Sequence, residues 1–305
     1  MTKLNFLTNA KINFKKELYM KLKTKIGVIG NGFVGNAVRF AFSPQTGCEA
    51  DVRVYDKDKS KSLHTLEETI NESDVIFVSV PTPSNSDGSI HIGILESVLS
   101  DINSVHNGRS NIILIRSTIV PGTTQKLQEK FTNLNLVFNP EFLTERSAKF
   151  DFINQARVIL GGKSKFTKIV GKLYRDRFGD SLSILHMNFE TAEMIKYMNN
   201  CFFATKVSFM NDMYEVASKC GVEWDIAVDG FVGDGRIGHT HLAVPGPDGK
   251  RGFGGVCFPK DVRAFLKFAE ELGVQLNTLK GAWETNLIAR PEHDWEKLKG
   301  RAVIS

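Results

Sequence analysis

Lys25-Ile26-Gly27-Val28-Ile29-Gly30-Asn31-Gly32-Phe33-Val34-Gly35 decides the fold. A short β-branched run feeds directly into Gly-x-Gly-x-x-Gly, and a helix-compatible stretch follows through Phe42. Strand, glycine turn and helix are the context that a dinucleotide-binding crossover requires. Gly30 makes the tight turn, Gly32 lets a pyrophosphate approach the backbone, and Gly35 permits close helix-to-strand packing. The reading is therefore a Rossmann-type α/β fold, a doubly wound parallel sheet. Asn31, Phe33 and Val34 complete the phosphate-binding turn.

The next strand, Val52 to Tyr55, ends at Asp56, about twenty residues on. A carboxylate there can bind both ribose hydroxyls and would repel a 2′-phosphate, so NAD is favoured over NADP. Further strands are expected at 75–80, 112–115, 135–138, 156–160 and 182–185, with helices at 92–105 and 166–178. Pro81-Thr82-Pro83 and Arg116-Ser117-Thr118 leave two of these strands at the carboxyl edge, where ligands bind. Pro81, Thr82 and Thr118 join the cofactor residues, although a turn or capping role serves Thr118 equally well.

From Glu190 the character changes. Residues 191–220 keep helical periodicity without proline or glycine, which makes a spine joining domains or subunits. Glu193, Lys196 and Asn200 lie three and four apart and share a face of it. A short helix over 225–231, a loop and a helix over 276–288 surround Gly252-Phe253-Gly254-Gly255-Val256-Cys257-Phe258-Pro259-Lys260-Asp261. Pro259 belongs in a first helical turn, so Cys257 sits at or just before a helix N-terminus, where peptide dipoles and the Lys260 charge favour the thiolate. Asp261, one turn on, can act on a water or hydroxyl. A buried, inert cysteine is the alternative for this stretch alone.

The domains expected are an extension over 1–22, a Rossmann domain over 23–187, an all-helical domain built on the long helix over 188–290, and a tail over 291–305. Lys3, Lys11, Lys15 and Lys16 interrupt the extension, so it offers no membrane span or leader core, and Met20 is an internal start option. With 42% hydrophobic and 24% charged residues the 305-residue chain reads as globular. Its net charge of +5 is scattered among acids, which gives no case for nucleic acid. Four cysteines without metal or disulfide spacing fit a reducing, cytoplasmic setting and no metal.

Taken together the motifs resemble the nucleotide-sugar dehydrogenases that oxidise UDP-glucose, GDP-mannose and related sugars. The matching stretches are 30–35, Pro81-Thr82-Pro83, Asp87-Gly88-Ser89, Ser117-Thr118, Asn139-Pro140-Glu141-Phe142-Leu143, Glu193-x-x-Lys196-x-x-x-Asn200, Arg236-Ile237-Gly238 and 253–261, in the family's order over roughly residues 24 to 290. The resemblance implies four-electron oxidation of a primary alcohol to a carboxylate with two NAD in succession, UDP-glucose to UDP-glucuronate leading, for polysaccharide biosynthesis. Implied roles are proton removal for Glu145 and Thr118, nucleophile for Cys257, oxyanion stabilisation for Lys196 and Asn200, and thioester hydrolysis for Asp261. Phe142, Leu143, Phe253 and Gly254 are implied in sugar binding, Arg236 reaches it across a homodimer interface, and the long helix is the dimer spine. Family members of ordinary length carry a further uridine-diphosphate-binding domain, so the chain is expected to be a short form. Lys250 and Arg251 are then offered as replacement phosphate contacts. A two-electron 3-hydroxy acid dehydrogenase and an NAD-binding module without turnover are the alternatives.

Overall fold

The computed structural model describes residues 20–304. The chain divides into two compact units, and the division falls inside the long helix, after Glu193. The first unit holds residues up to Val80, 94–117 and 121–193; the second holds 81–93, 118–120 and everything from Met194. This division lies six residues beyond the expected boundary at 187, and the two strand exits at 81–93 and 118–120 group with the helical unit.

The first unit is built on strands β1 (Met20–Lys21), β2 (Ile26–Ile29), β3 (Cys48–Glu49), β4 (Val52–Tyr55), β5 (Val75–Val78), β6 (Ile112–Ile115), β7 (Leu136–Phe138), β8 (Arg157–Gly161) and β9 (Ser183–Met187). Its helices are α1 (Phe33–Ala41), α2 (Leu66–Asn71), α3 (Gly93–Val105), α4 (Thr123–Lys130), α5 (Ala148–Ile153) and α6 (Ser164–Phe178). Seven strands form one sheet in the order β4-β2-β5-β6-β7-β8-β9, parallel except between β7 and β8. β2 is flanked by β4 on one side and β5 on the other, so the strand order reverses there and opens the crevice used by ligands of this fold class. Ile26, Val28, Val75, Phe77, Ile112 and Leu114 pack one face against α1, α5 and α6, while Ile76 and Ile113 between them are equally buried on the other. Burial on both faces explains the continuous apolar runs.

Of the expected extension, residues 1–19 lie outside the described residues, and Met20–Lys21 pairs in parallel with Cys48–Glu49. Two helices were not expected, α2 and α5. The first carries a full capping box, Thr65 with Glu68.

The second unit takes most of α7 (Phe189–Cys220), with α8 (Trp224–Val232), α9 (Cys257–Glu271) and α10 (Asn277–Ala289). Tyr197, Cys201 and Ala204 of α7 pack with Phe253, Val262 and Leu279 as its core. The tail is not a separate piece. Trp295 is buried and its ring packs on Trp283, while Ser84 and the 302–304 segment exchange two backbone hydrogen bonds. No helix among the described residues is long and apolar enough to cross a membrane.

Candidate active site

The glycine turn occupies the reversal point of the first unit. Gly30 has φ +85° and lies so close to the Ser79 carbonyl that a Cβ would collide with it, and a Cβ at Gly35 would collide with the Gly30 carbonyl oxygen. Both glycines are therefore required by the backbone alone. At Gly32 a Cβ would meet nothing within 4 Å, which leaves the backbone open on the side where a pyrophosphate must approach. Gly32 is the N-cap of α1 with no side-chain cap, and its first turn, Phe33 and Val34 included, has no acidic residue. Unpaired N–H groups there suit an anion.

Asp56 closes the cradle. Its Oδ2 accepts from the Asn31 amide at 2.6 Å and its Oδ1 from the Asp58 amide at 2.8 Å, which leaves one further acceptor site on each oxygen for ribose hydroxyls. The Asn31 Oδ1 is buried without a partner. An open glycine, an uncapped helix end, an orphaned acceptor and a fixed carboxylate fit an adenine dinucleotide.

In the second unit Cys257 is the first residue of α9, as its spacing from Pro259 predicts. Asp261, one turn along, is fully buried and held from two sides: Lys260 Nζ donates to Oδ1 and Asn200 Nδ2 to Oδ2, both at 2.6 Å. Lys196 and Asn200 are buried on one face of α7, one turn apart. The Lys260 charge, expected to favour the thiolate, is instead paired with Asp261. Burial, together with the Asp261 charge, pushes the neighbouring Cys201 thiol up and leaves it an inert core thiol. Thr82 Oγ1 donates to the Thr118 carbonyl at 2.8 Å, which ties the Pro81-Thr82-Pro83 turn to the exit after β6.

Glu193 shares its face with Lys196 and Asn200, but its carboxylate serves α4. That helix begins after Gly122 without a side-chain cap, and Glu193 accepts from the Gly122 amide (2.7 Å), the Thr124 amide (2.7 Å) and the Thr124 hydroxyl (2.5 Å). Burial outweighs these bonds and pushes its pKa up to about 7. The folded value lies above the unfolded one. The stabilising contribution is therefore complete below about pH 4.5 and is lost as the pH rises through about 7. In urea unfolding, wild type should lose on the order of 3 kcal/mol between pH 4.5 and 8 from this group, a loss absent in Glu193→Gln. Equal pH slopes in the two proteins would refute this.

Several expected sugar contacts have other partners. Phe253 is buried in the helical core, where its ring packs on Phe258 and Trp283. Gly254 is glycine because a Cβ would lie 2.5 Å from Arg290 Cζ and from Asp294 Oδ1, so it is the chain itself that approaches. Lys250 pairs with Glu292 at 2.7 Å; Arg251 pairs with Glu215 at 3.0 Å and stacks on Tyr214. These internal acids compete with any phosphate for both cations. In the first unit, Phe142 lies against the Arg157 guanidinium, Leu143 packs on the sheet core, and Glu145 stands exposed in the turn between β7 and α5. Arg236 is exposed and forks onto Asp234, where its Nε donates at 2.9 Å.

The fold and the glycine cradle define a Rossmann-type dinucleotide-binding protein with a helical second domain. The chain belongs to the UDP-glucose/GDP-mannose dehydrogenase family: the family's NAD binding domain matches residues 61–177 and its central domain residues 190–287. It is 30% identical over 298 residues to the UDP-glucose 6-dehydrogenase TuaD of Bacillus subtilis, covering 86% of this chain and 62% of that protein. To the UDP-glucose 6-dehydrogenase of Rickettsia prowazekii it is 32% identical over 261 residues, covering 81% and 58%. The chain thus spans less than two thirds of these relatives. A UDP-glucose dehydrogenase from the archaeon Pyrobaculum islandicum superposes with a TM-score of 0.77 at 25% identity over 93% of this chain and 71% of that one.

Proposed function

We propose that the chain carries out NAD-dependent, four-electron oxidation of a nucleotide-sugar C6 alcohol to the carboxylate, with UDP-glucose as substrate. The observation that carries this reading is the cluster in the second unit, a cysteine opening a helix with a buried carboxylate one turn on, itself bonded to Asn200 and Lys260. A dehydrogenase that stops at two electrons has no use for that pair.

The glycine turn and Asp56 would hold two NAD in succession, each of which would supply a two-electron hydride acceptor. Glu145 and Thr118 assist removal of the alcohol proton. The Cys257 thiolate then adds to the aldehyde carbon, forming a C–S bond while the carbonyl pair moves to oxygen, and Lys196 with the second hydrogen of the Asn200 amide steadies that oxyanion. Loss of the second hydride leaves a thioester. Asp261 takes a proton from water as it adds, the C–S bond breaks, and the thiolate returns. The test is NADH formed per UDP-glucose by the purified chain. Two are expected; one would mean two-electron hydroxy acid chemistry, and none with NAD still bound would mean a module without turnover.

The long helix supports a homodimer. Met194, Met198, Phe202, Phe209, Met213 and Val216 form an exposed stripe along α7 at spacings of three, four and seven residues, with Met198 at 61% and Phe202 at 66% exposure. Such an apolar stripe suits the same stripe on a second copy. Met198→Glu with Phe202→Glu should convert a dimer to a monomer in light scattering with the helical signal unchanged; a monomeric wild type would remove the proposal. Four free cysteines suit a cytoplasmic role in polysaccharide precursor synthesis.

A further inference from the structure

Helix α9 starts without local instruction. Its N-cap is Val256, which offers no side-chain cap, and the approach is glycine at 252, 254 and 255, with Gly255 at φ +72°. The backbone of this approach is held by residues 286–294. Asn286, fully buried on α10, accepts from the Phe253 amide at 2.6 Å and donates back to the Phe253 carbonyl at 3.0 Å, a two-sided clasp on one residue. One residue further along, Asp294 Oδ1 lies 2.5 Å from where a Cβ on Gly254 would stand, so its carboxylate packs directly on the glycine backbone. Arg290 stands between these anchors. Its Nε donates to Asp294 Oδ1 at 2.8 Å, and one terminal nitrogen reaches both Asp294 Oδ2 at 3.0 Å and Asp248 Oδ2 at 2.7 Å. It is itself only 3% exposed.

We infer that Asn286 and Asp294, with Arg290 holding Asp294 in place, are positioning residues for Cys257: they set the backbone from which its sulfur is aimed and keep its amide neighbours aligned with the start of α9. The inference rests on the proposed role of Cys257 as nucleophile. A thiolate at a helix start depends on the orientation of the amides around it, and a nucleophile displaced by about 1 Å loses on the order of a hundredfold in rate. Core packing alone would give a different signature. A cavity at Asn286 would lower stability without moving the titration of a thiol at the other end of the clasp.

The test uses the full chain with Cys220→Ser, since Cys220 is exposed, Cys48 and Cys201 are buried, and Cys257 is then the cysteine left to react. Iodoacetamide alkylation of Cys257 is followed against pH in this background, in Asn286→Ala and in Asp294→Ala, with steady-state kinetics on NAD and UDP-glucose. Expected are an alkylation midpoint about one pH unit higher in both variants, kcat lower by tenfold or more, and KM for NAD changed less than about twofold. Unchanged midpoints and kcat in a variant with native circular dichroism would overturn the inference. Asp294→Ala, at a partly exposed site, carries the test should Asn286→Ala not fold. A third outcome concerns the underlying reading. If Cys257→Ser turns over as wild type does, the nucleophile assignment fails and the positioning role with it, whereas failure of the clasp alone leaves turnover dependent on Cys257.

Discussion

Cys257→Ser should abolish multiple turnover, lowering the steady rate by on the order of a thousandfold or more while leaving NAD binding and the unfolding midpoint near wild type. The geometry explains the asymmetry. Cys257 opens α9 and is half-buried, so exchanging sulfur for oxygen removes little packing. The cofactor cradle is in the other unit, on residues the exchange does not touch. What changes is the nucleophile. A helix start can bring a thiol into its ionised range near neutral pH but cannot do so for an alcohol, whose ordinary pKa lies far higher. Without the C–S bond the second oxidation has no covalent intermediate, the aldehyde formed by the first hydride transfer remains bound as a dead-end product, and NADH release should stop near one per subunit. Full turnover in the serine variant would assign the second oxidation elsewhere.

Much of this was readable from residue order. The glycine turn, the strand ending at Asp56, the 32-residue helix and the start of α9 at Cys257 all depend on neighbours within a turn or two, and each falls within a few residues of its expected place. The capping box of α2 is equally legible in Thr65-x-x-Glu68. What was not legible is partner choice across the chain. Lys260 follows Cys257 closely enough to suggest thiolate support, yet its amine bonds Asp261; Lys250 and Arg251 are cations in a loop, and only the fold shows that Glu292 and Glu215 face them. Gly254 looks the same whether a ligand or Arg290 approaches it. The antiparallel step between β7 and β8 has no signature either, because both strands are short apolar runs. Asn286 leaves a faint trace, a polar residue one turn beyond Ala282 and two beyond Leu279 on the buried face of α10.

Asp261 gives the second large effect, and three variants separate its structural and chemical parts. Asp261→Ala leaves the Lys260 ammonium, only 6% exposed, without the carboxylate it bonds at 2.6 Å. An unpaired buried cation costs about 3–5 kcal/mol, a large share of the stability of a domain this size. Asp261→Asn keeps an oxygen for Lys260, and rotation of the Asn200 amide restores its bond while leaving Lys196 to steady the oxyanion, so the stability loss should shrink to about 1–2 kcal/mol. Yet the amide cannot take a proton from water, so Asp261→Asn should still stall at the thioester, with radiolabelled sugar retained on Cys257. Replacing both partners, Lys260→Met with Asp261→Leu, removes the buried pair altogether and should restore most of the urea midpoint with no return of activity. A structural ion pair alone predicts that activity tracks stability through the three variants; a base held in place by Lys260 and Asn200 predicts that the two part company at Asp261→Asn.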